Sequence, residues 1–243
     1  MNISFEGKTA LVTGAGKGLG RAIAKALAAG GATVHAISRT QADLDSLQQE
    51  VAGIQVYNVD VTDWDKVRKV VQDIGQVDLL VNNAGIVSFT PLLEVTKEVF
   101  EQIMTTNTTA AFNISQVVSK LMISHGRGGA IVNISSIDAL KPDTADPVYC
   151  ISKAAMDMVT KCFALEVAQY QIRVNSVNPT LVPQTKMGQS IGKTIADQLA
   201  TQTPMKKLAE ISDVVHAVLY LLSDKADMIT GTSLPIEGAF LLS

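Results

Sequence analysis

A glycine-rich turn between a strand and a helix is the feature that most constrains this chain. Lys8 to Thr13 form a short apolar run rich in strand-forming residues. Gly-Ala-Gly-Lys-Gly-Leu-Gly follows at positions 14–20, and an alanine-rich helical stretch then runs to Ala29. Residues without a Cβ let the backbone turn sharply and approach a pyrophosphate, which binds at the positive end of the next helix. The order strand, glycine turn, helix therefore predicts a dinucleotide-binding α/β fold.

The rest of the chain alternates between apolar runs and helical segments. The predicted strands, with the exit of the sixth included, are residues 8–13, 32–37, 54–59, 77–81, 130–136, 173–180 and 232–238. Nearly continuous apolar runs, such as the fourth, are typical of strands buried on both faces of a parallel sheet. The sequence predicts one doubly wound (Rossmann) α/β domain, residues 1–243, with a seven-stranded parallel sheet and helices on both faces. Residues 181–204 are expected to form a substrate lid.

Composition restricts the partners of the chain. Its 243 residues, 47% of them hydrophobic, can bury one sizeable α/β core. A net charge of −3 with scattered Lys and Arg residues provides no basic surface for nucleic acid. The sequence contains neither a signal-peptide layout at its start nor an apolar run long enough to span a bilayer. We therefore expect a cytoplasmic protein without membrane insertion.

Cysteine and histidine positions argue against a disulfide and a metal site. Cys150 and Cys162 lie twelve residues apart on one predicted helix, hence ~18 Å apart along its axis. His35, His125 and His216 are scattered and show no metal-ligand spacing. We expect neither a bond between the two cysteines nor a bound metal.

The end of the second strand predicts which dinucleotide binds. An acidic residue at this point hydrogen-bonds the ribose 2′-hydroxyl of NAD, whereas a basic residue accommodates the 2′-phosphate of NADP. No acid occurs between Ala32 and Thr40, but Arg39 does, and Lys17 lies in the glycine turn. Two charge-assisted hydrogen bonds of about 1.5 kcal/mol each would favour NADP about a hundredfold. The alternative is that both are surface cations.

Tyr149 and Lys153 are the strongest candidates for chemistry. They stand at positions i and i+4 of a predicted helix, which places their side chains on one face about 5–6 Å apart. An ammonium so close is expected to lower the pKa of the phenol and make it a usable acid or base. Ser136 precedes Tyr149 by thirteen positions, at the carboxyl end of the fifth strand. The alternative is a half-buried Tyr beside a solvated Lys.

These motifs resemble the short-chain dehydrogenase/reductase superfamily. Thr13 and the glycines at 14, 18 and 20 match its T-G-x-x-x-G-x-G signature, residues 82–85 match N-N-A-G, and residues 149–153 match Y-x-x-x-K. The resemblance implies a catalytic set of Asn107, Ser136, Tyr149 and Lys153, in which the Asn107 carbonyl holds a relay water. It implies a cofactor-binding set of Gly14, Lys17, Gly18, Leu19, Gly20, Ser38, Arg39, Thr40, Asp60, Val61, Asn83, Ala84, Gly85, Tyr149, Lys153, Pro179, Val182 and Thr185.

Within the superfamily, several segments resemble the dicarbonyl/L-xylulose reductases and the tetrameric carbonyl reductases. They are residues 16–18, 38–47, 77–84, 93–97 and 173–180. This resemblance implies NADPH-dependent reduction of α-dicarbonyls, small ketones or ketoses such as L-xylulose, by a homotetramer built as a dimer of dimers. Residues 137–142 and the lid resemble these reductases least, and Val182 to Thr185 is one residue longer than the usual V-x-T. Pro179-Thr180 replaces the usual Pro-Gly.

Two other functions remain open from the sequence. One is an NADP-dependent alcohol or hydroxysteroid dehydrogenase, and the other is a sensor that binds NADP without turnover. The complete set Asn107, Ser136, Tyr149 and Lys153 favours an enzyme, because a sensor has no chemical reason to keep all four.

Some local details are also predicted. Thr40, Thr62 and Ser212 are expected to cap the helices that follow them, because their hydroxyls can accept a hydrogen bond from a free backbone N–H. Trp64 is expected to pack in the core.

Overall fold

The computed structural model describes residues 3–243. The strands are β1 (Thr9–Thr13), β2 (Thr33–Ser38), β3 (Gln55–Asn58), β4 (Leu79–Asn82), β5 (Gly129–Ile134), β6 (Ile172–Pro179) and β7 (Ser233–Ile236). The α-helices are α1 (Gly18–Ala29), α2 (Gln41–Glu50), α3 (Trp64–Ile74), α4 (Lys97–Met104), α5 (Ala110–His125), α6 (Pro147–Val167), α7 (Lys186–Ser190), α8 (Lys193–Gln202) and α9 (Ile211–Leu222).

The seven strands form one sheet in which every neighbouring pair is parallel. Their order is β3-β2-β1-β4-β5-β6-β7. The chain winds outward in one direction from β1 to β3, and returns to the centre to wind in the other direction from β4 to β7. This is the doubly wound arrangement, and the predicted fold is confirmed. The carboxyl ends of β1 and β4 meet where the winding reverses, which is where such sheets bind ligands.

Alternating side chains bury both faces of the sheet. Ala10 and Val12 of β1 point to a cluster with Ile23 of α1 and Val218 of α9, whereas Leu11 between them points to the opposite cluster. The second cluster includes residues of α3, α5 and α6. Each large aliphatic side chain that is fully buried contributes roughly 1.5–3 kcal/mol. Burial on both faces explains why the strand sequences are nearly continuous apolar runs.

A buried polar network crosses the sheet beside the site. The Asn82 amide of β4 donates to Asn133 Oδ1 of β5 at 2.8 Å and to Ser115 Oγ of α5 at 2.9 Å. Asn133 in turn donates to Thr160 Oγ1 of α6 at 2.8 Å. Because these groups are buried, loss of one partner would leave a polar atom that water cannot reach to replace the hydrogen bond. The network fixes α5 and α6 relative to the carboxyl ends of β4 and β5.

The predicted helix caps are wrong, because none of the three side chains makes the expected hydrogen bond to a backbone N–H of its helix. Asp63, not Thr62, caps α3 by accepting a hydrogen bond from the backbone N–H three residues later, because the helix begins at Trp64. Glu210 occupies the cap position of α9 and forms a capping box, so Ser212 lies inside the first turn. Thr40 stands at the cap position of α2 without making a side-chain cap bond.

Trp64 is not a core residue. Its side chain is 40% exposed, and the Arg68 guanidinium lies 5.2 Å from its ring centroid. The buried stripe of α3 consists instead of Val67 and Val71. Position 64 is the first residue of the helix, where the ring extends past the edge of the packed face.

Helix α6, with 21 residues, is the longest helix and carries Tyr149, Lys153 and both cysteines. Cys150 is buried, Cys162 is exposed, and both thiols are free. None of the helices in residues 3–243 combines the length and the apolar character needed to cross a membrane.

Removing the Asn133 side chain should test the polar network. Asn133→Ala removes the acceptor of one buried Asn82 N–H and the donor to Thr160 Oγ1, so we expect a loss of about 2–4 kcal/mol in the free energy of unfolding, measured by urea denaturation. Asn58→Ala, at an exposed strand end, is the control and should change stability by less than about 0.5 kcal/mol. Equal effects of the two substitutions would contradict this role.

Candidate active site

A cavity of about 620 Å³ opens at the carboxyl edge of the sheet. It brings together most of the residues selected from the sequence. Those that line it are Gly14, Lys17, Gly18, Leu19, Ser38, Arg39, Thr40, Val61, Asn83, Ala84, Gly85, Ser136, Tyr149, Lys153, Pro179, Val182 and Thr185. Gly20, Asp60 and Asn107 lie outside this lining.

Hydrogen bonds join the glycine turn after β1 to the turn after β4. Thr13 Oγ1 accepts from the backbone N–H groups of Asn83 at 3.0 Å and Ala84 at 3.1 Å. The Asn83 amide donates to the carbonyl oxygens of Thr13 at 3.0 Å and Gly14 at 3.2 Å. Gly14 has a φ of +64°, and a Cβ there would lie 2.8 Å from Asn83 Nδ2. We call these contacts the Thr13–Asn83 clasp.

The amino end of α1 fits a dinucleotide pyrophosphate. Helix α1 begins at Gly18 without a side-chain cap and without an acidic residue in its first turn. Its first backbone N–H groups therefore keep their positive character toward the cavity. A Cβ at Gly20 would lie 2.4 Å from the Gly14 carbonyl oxygen, so only glycine lets the turn come this close. The chain thus presents the cradle that a phosphate-bearing cofactor requires.

The two cations selected for NADP lie at one end of the cavity, and each faces a carboxylate. Lys17 Nζ lies 2.9 Å from Asp43 Oδ2, and Arg39 Nη1 lies 3.7 Å from Asp60 Oδ2. Both cationic side chains are more than half exposed. Asp60 itself turns away from the cavity, while the adjacent Val61 lines it. A bound phosphate would compete with these two exposed pairs.

Asn107 lies in a π-helical segment, Thr105–Thr109, between α4 and α5. Its side chain is fully buried behind the cavity wall. Asn107 Oδ1 accepts from the Ile86 N–H at 2.8 Å, and its amide donates to the Ile86 carbonyl and to Ser152 Oγ, both at 2.9 Å. The π-helical segment interrupts the α-helical geometry between α4 and α5. The run of four threonines around the asparagine is the sequence signal, because such residues weaken a regular α-helix.

Lys153 and Tyr149 are buried side by side. Lys153 Nζ donates to the Ile134 carbonyl at 2.7 Å and lies 5.4 Å from the centre of the Tyr149 ring. Burial lowers the pKa of Lys153 to about 8. The pKa of Tyr149 is raised well above its ordinary value by burial, and then by the carboxylates of Asp138 and Asp146.

The predicted lowering of the Tyr149 pKa is therefore wrong. The Lys153 ammonium is directed to the backbone of β5, whereas two carboxylates lie close enough to the phenol to disfavour its ionisation. At neutral pH the Tyr149 hydroxyl keeps its proton and can act as an acid.

An acidic loop forms the wall next to Tyr149. Ser136 Oγ donates to Asp138 Oδ2 at 2.7 Å. Burial raises the pKa of Asp138, and Asp143 raises it further. Burial and then the charge of Asp138 raise the pKa of Asp146 to about 7. These carboxylates were not among the residues selected from the sequence. Their signal is the presence of three Asp residues in the short segment between β5 and α6.

The segment predicted to form a lid, residues 181–204, contains α7, α8 and the turns around them. Thr185 lines the cavity, but its hydroxyl accepts from the Gly188 N–H and donates to the Val182 carbonyl, both at 2.9 Å, and so caps α7. Thr180, which stands in place of the glycine usual in the resembling family, donates its N–H to the Ile236 carbonyl at 3.1 Å. Its φ is not in the left-handed region, so the backbone does not need a glycine there.

Comparisons with known proteins agree with this geometry. A model of the short chain dehydrogenase family matches residues 8–213. The chain is 47% identical to a human L-xylulose reductase over 99% of both chains, and 44% identical to a pig carbonyl reductase [NADPH] 2 over the full length of both. Among solved structures, a gluconate 5-dehydrogenase from Burkholderia cenocepacia in complex with NADP and tartrate is similar with a TM-score of 0.93. It is 27% identical, with 100% of this chain and 98% of that chain covered.

The raised pKa of Asp146 should appear as a pH-dependent stability. Its folded-state pKa of about 7 exceeds the ordinary value of 3.8, so the folded state binds the extra proton. Stability is lost as pH rises from about 4 to 7. Asp146→Asn cannot ionise at this position. We therefore expect its free energy of unfolding, relative to that of the parent, to be about 1–2 kcal/mol higher at pH 8 than at pH 4, measured by urea denaturation. Asp227→Asn, which removes an exposed carboxylate, controls for the charge change. An identical difference at both pH values for Asp146→Asn would contradict the assignment.

Proposed function

The chain belongs to the short chain dehydrogenase family, and on that premise we propose that it uses NADPH to reduce small carbonyl compounds. The substrate class is α-dicarbonyls, small ketones and ketoses such as L-xylulose. The observation that carries this proposal is the position of the Tyr149 phenol, which is only 9% exposed and lines the same cavity as the glycine turn. The L-xylulose and carbonyl reductases among the relatives support it.

Tyr149 acts as the general acid. NADPH, when bound, supplies the hydride. Tyr149 gives its proton to the carbonyl oxygen of the substrate as negative charge develops there, and Ser136 hydrogen-bonds the same oxygen. The high pKa of the phenol suits this direction, because the group is fully protonated before reaction.

Lys153 supports Tyr149 from behind. Its pKa of about 8 keeps a proton available near neutral pH. The ammonium stabilises the tyrosinate formed in the reaction and holds hydroxyl groups of the cofactor ribose. The π-helical segment with Asn107 provides the path by which protons return from solvent to Lys153. An unusual backbone geometry at this position fits a functional role.

NADP selectivity is proposed for Arg39 and Lys17. Their side chains border the end of the cavity beyond β2, where no acidic residue lines the wall to accept a ribose 2′-hydroxyl. A 2′-phosphate carries more negative charge than either Asp43 or Asp60, the carboxylates that these cations now face. NADPH in the name of the pig relative and NADP in the Burkholderia complex support this choice.

The remaining predictions complete the proposal. We propose one catalytic domain, residues 1–243, in which residues 181–204 close over the substrate and Thr185 approaches the nicotinamide. The proposed assembly is a cytoplasmic homotetramer. Exposed apolar side chains on neighbouring helices, Phe100 of α4, Phe112 of α5 and Met158 of α6, offer a surface for pairing.

Tyr149→Phe should separate chemistry from cofactor binding. Loss of the proton donor should lower kcat/KM for diacetyl by about 10²–10⁴-fold, measured from NADPH absorbance, because general acid catalysis contributes on this scale. NADPH affinity, measured by fluorescence titration, should stay within about threefold. Tyr170→Phe, at an exposed tyrosine, is the matched control. A Tyr149→Phe variant as fast as the parent would exclude this mechanism.

Arg39→Ala should reduce the preference for NADPH over NADH. Loss of one charge-assisted hydrogen bond to the 2′-phosphate should lower kcat/KM for NADPH about tenfold and leave the value for NADH nearly unchanged. Arg127→Ala, at an exposed position, should change neither value. If kcat/KM falls by the same factor for NADPH and NADH in the Arg39 variant, Arg39 has no selective role.

A further inference from the structure

The loop between β5 and α6 presents three carboxylates to the substrate end of the cavity. Asp138, Asp143 and Asp146 all line the cavity together with Tyr149. In each, one oxygen is engaged within the loop region, by Ser136 Oγ at 2.7 Å, by the Ala145 N–H at 2.9 Å and by Cys150 Sγ at 3.3 Å, respectively. The second oxygen of each carboxylate has no hydrogen-bond partner among residues 3–243.

The charges around these carboxylates leave the substrate end negative. The charges of Asp138 and Asp143 both raise the pKa of Asp146, and no cation lowers it. Lys153, which lines the cavity and donates to the Ile134 carbonyl, is the one cation that acts on Asp138. Lys141 of the same loop has its Nζ 4.8 Å from the centroid of the Phe240 ring, and Lys186, after β6, lines the cavity.

Tyr149 independently marks this place as a ligand site. Tyr149 is only 9% exposed, yet none of the described residues accepts the proton of its hydroxyl, and the neighbouring Ser136 donates to Asp138. A metal is a poor occupant, because residues 3–243 contain no group of three or more His, Cys, Asp or Glu side chains arranged to hold one. The occupant must therefore offer an oxygen to Tyr149 and donors or positive charge to the carboxylates.

We propose that the substrate end of the cavity selects carbonyl compounds that carry a protonated amine on the carbon next to the carbonyl group. It discriminates against carbonyl compounds that carry a carboxylate. This inference rests on the proposed carbonyl reduction and names its preferred substrates. An ammonium has N–H donors and no acceptor, so it suits carboxylate oxygens that lack a partner. A carboxylate in the same position would meet like charge.

Three ketones of one framework test this selection. Aminoacetone, hydroxyacetone and acetoacetate share CH₃–CO–CH₂– and differ in a positive, neutral or negative substituent. With NADPH at pH 7, we expect kcat/KM for aminoacetone to exceed that for hydroxyacetone about tenfold, as one charge-assisted hydrogen bond allows. Acetoacetate should be at least about tenfold poorer than hydroxyacetone. Added salt should reduce the differences.

Asparagine variants identify the residues responsible. Asp143→Asn and the double variant Asp143→Asn/Asp146→Asn keep the side-chain volumes and remove charge. In the double variant, the ratio of kcat/KM for aminoacetone to kcat/KM for hydroxyacetone should fall toward one. Because both values are measured on the same protein sample, a partial loss of folded enzyme does not change their ratio. Asp227→Asn removes an exposed carboxylate outside the cavity and should keep the parental ratio.

The outcomes separate this inference from the proposed function. Equal rates for the three ketones, or an unchanged ratio in the double variant, would overturn the inference while leaving carbonyl reduction intact. If the parent reduces neither diacetyl nor hydroxyacetone, the proposed function fails. Titration calorimetry with 1-aminopropan-2-ol and propane-1,2-diol in the presence of NADP⁺ then decides the inference, and equal affinities for the two alcohols would reject it.

Discussion

The Thr13–Asn83 clasp is the interaction on which the geometry of the cavity depends. One threonine hydroxyl and one asparagine amide join the turns after β1 and β4, the two strands between which the winding of the sheet reverses. The phosphate cradle at α1 and the wall next to Lys153 are thereby parts of one rigid unit. A cofactor held at the first would project its reactive end toward the second without any change in the sheet.

Most of the fold could be predicted because its signals are local. Apolar runs, glycine turns and the helical periodicity between them are each encoded within a few residues, and the observed strands differ from the predicted ones by one or two residues at their ends. The placement of most candidate site residues around one cavity also follows, since parallel strands gather their carboxyl ends at one edge. Helix caps were harder to predict, because a shift of one residue in the start of a helix changes which side chain caps it.

The electrostatics of the site could not be predicted, because they depend on the path of a loop. The spacing of Tyr149 and Lys153 fixes their distance along α6, but the direction of the ammonium depends on the Ile134 carbonyl from another element. Asp138 and Asp146 reach the phenol only through the turn between β5 and α6. The sequence therefore identified Tyr149 as a candidate acid, and the tertiary structure determined the sign of its pKa shift. Lys17 and Arg39 were selected from the sequence, but their pairing with Asp43 and Asp60 was not predicted.

The π-helical segment at Thr105–Thr109 has an evolutionary consequence. A π turn holds one residue more than an α turn in the same stretch, so it corresponds to a single inserted codon. Deleting one residue from this segment would restore a regular helix and leave α4 and α5 in nearly the same relative orientation, because the wider π turn absorbs the extra residue. Asn107 would then lose its alignment with Ile86 and Ser152. Descendants of this gene could exchange many residues of α4 and α5 and still function, but they could not change the length of the segment between them.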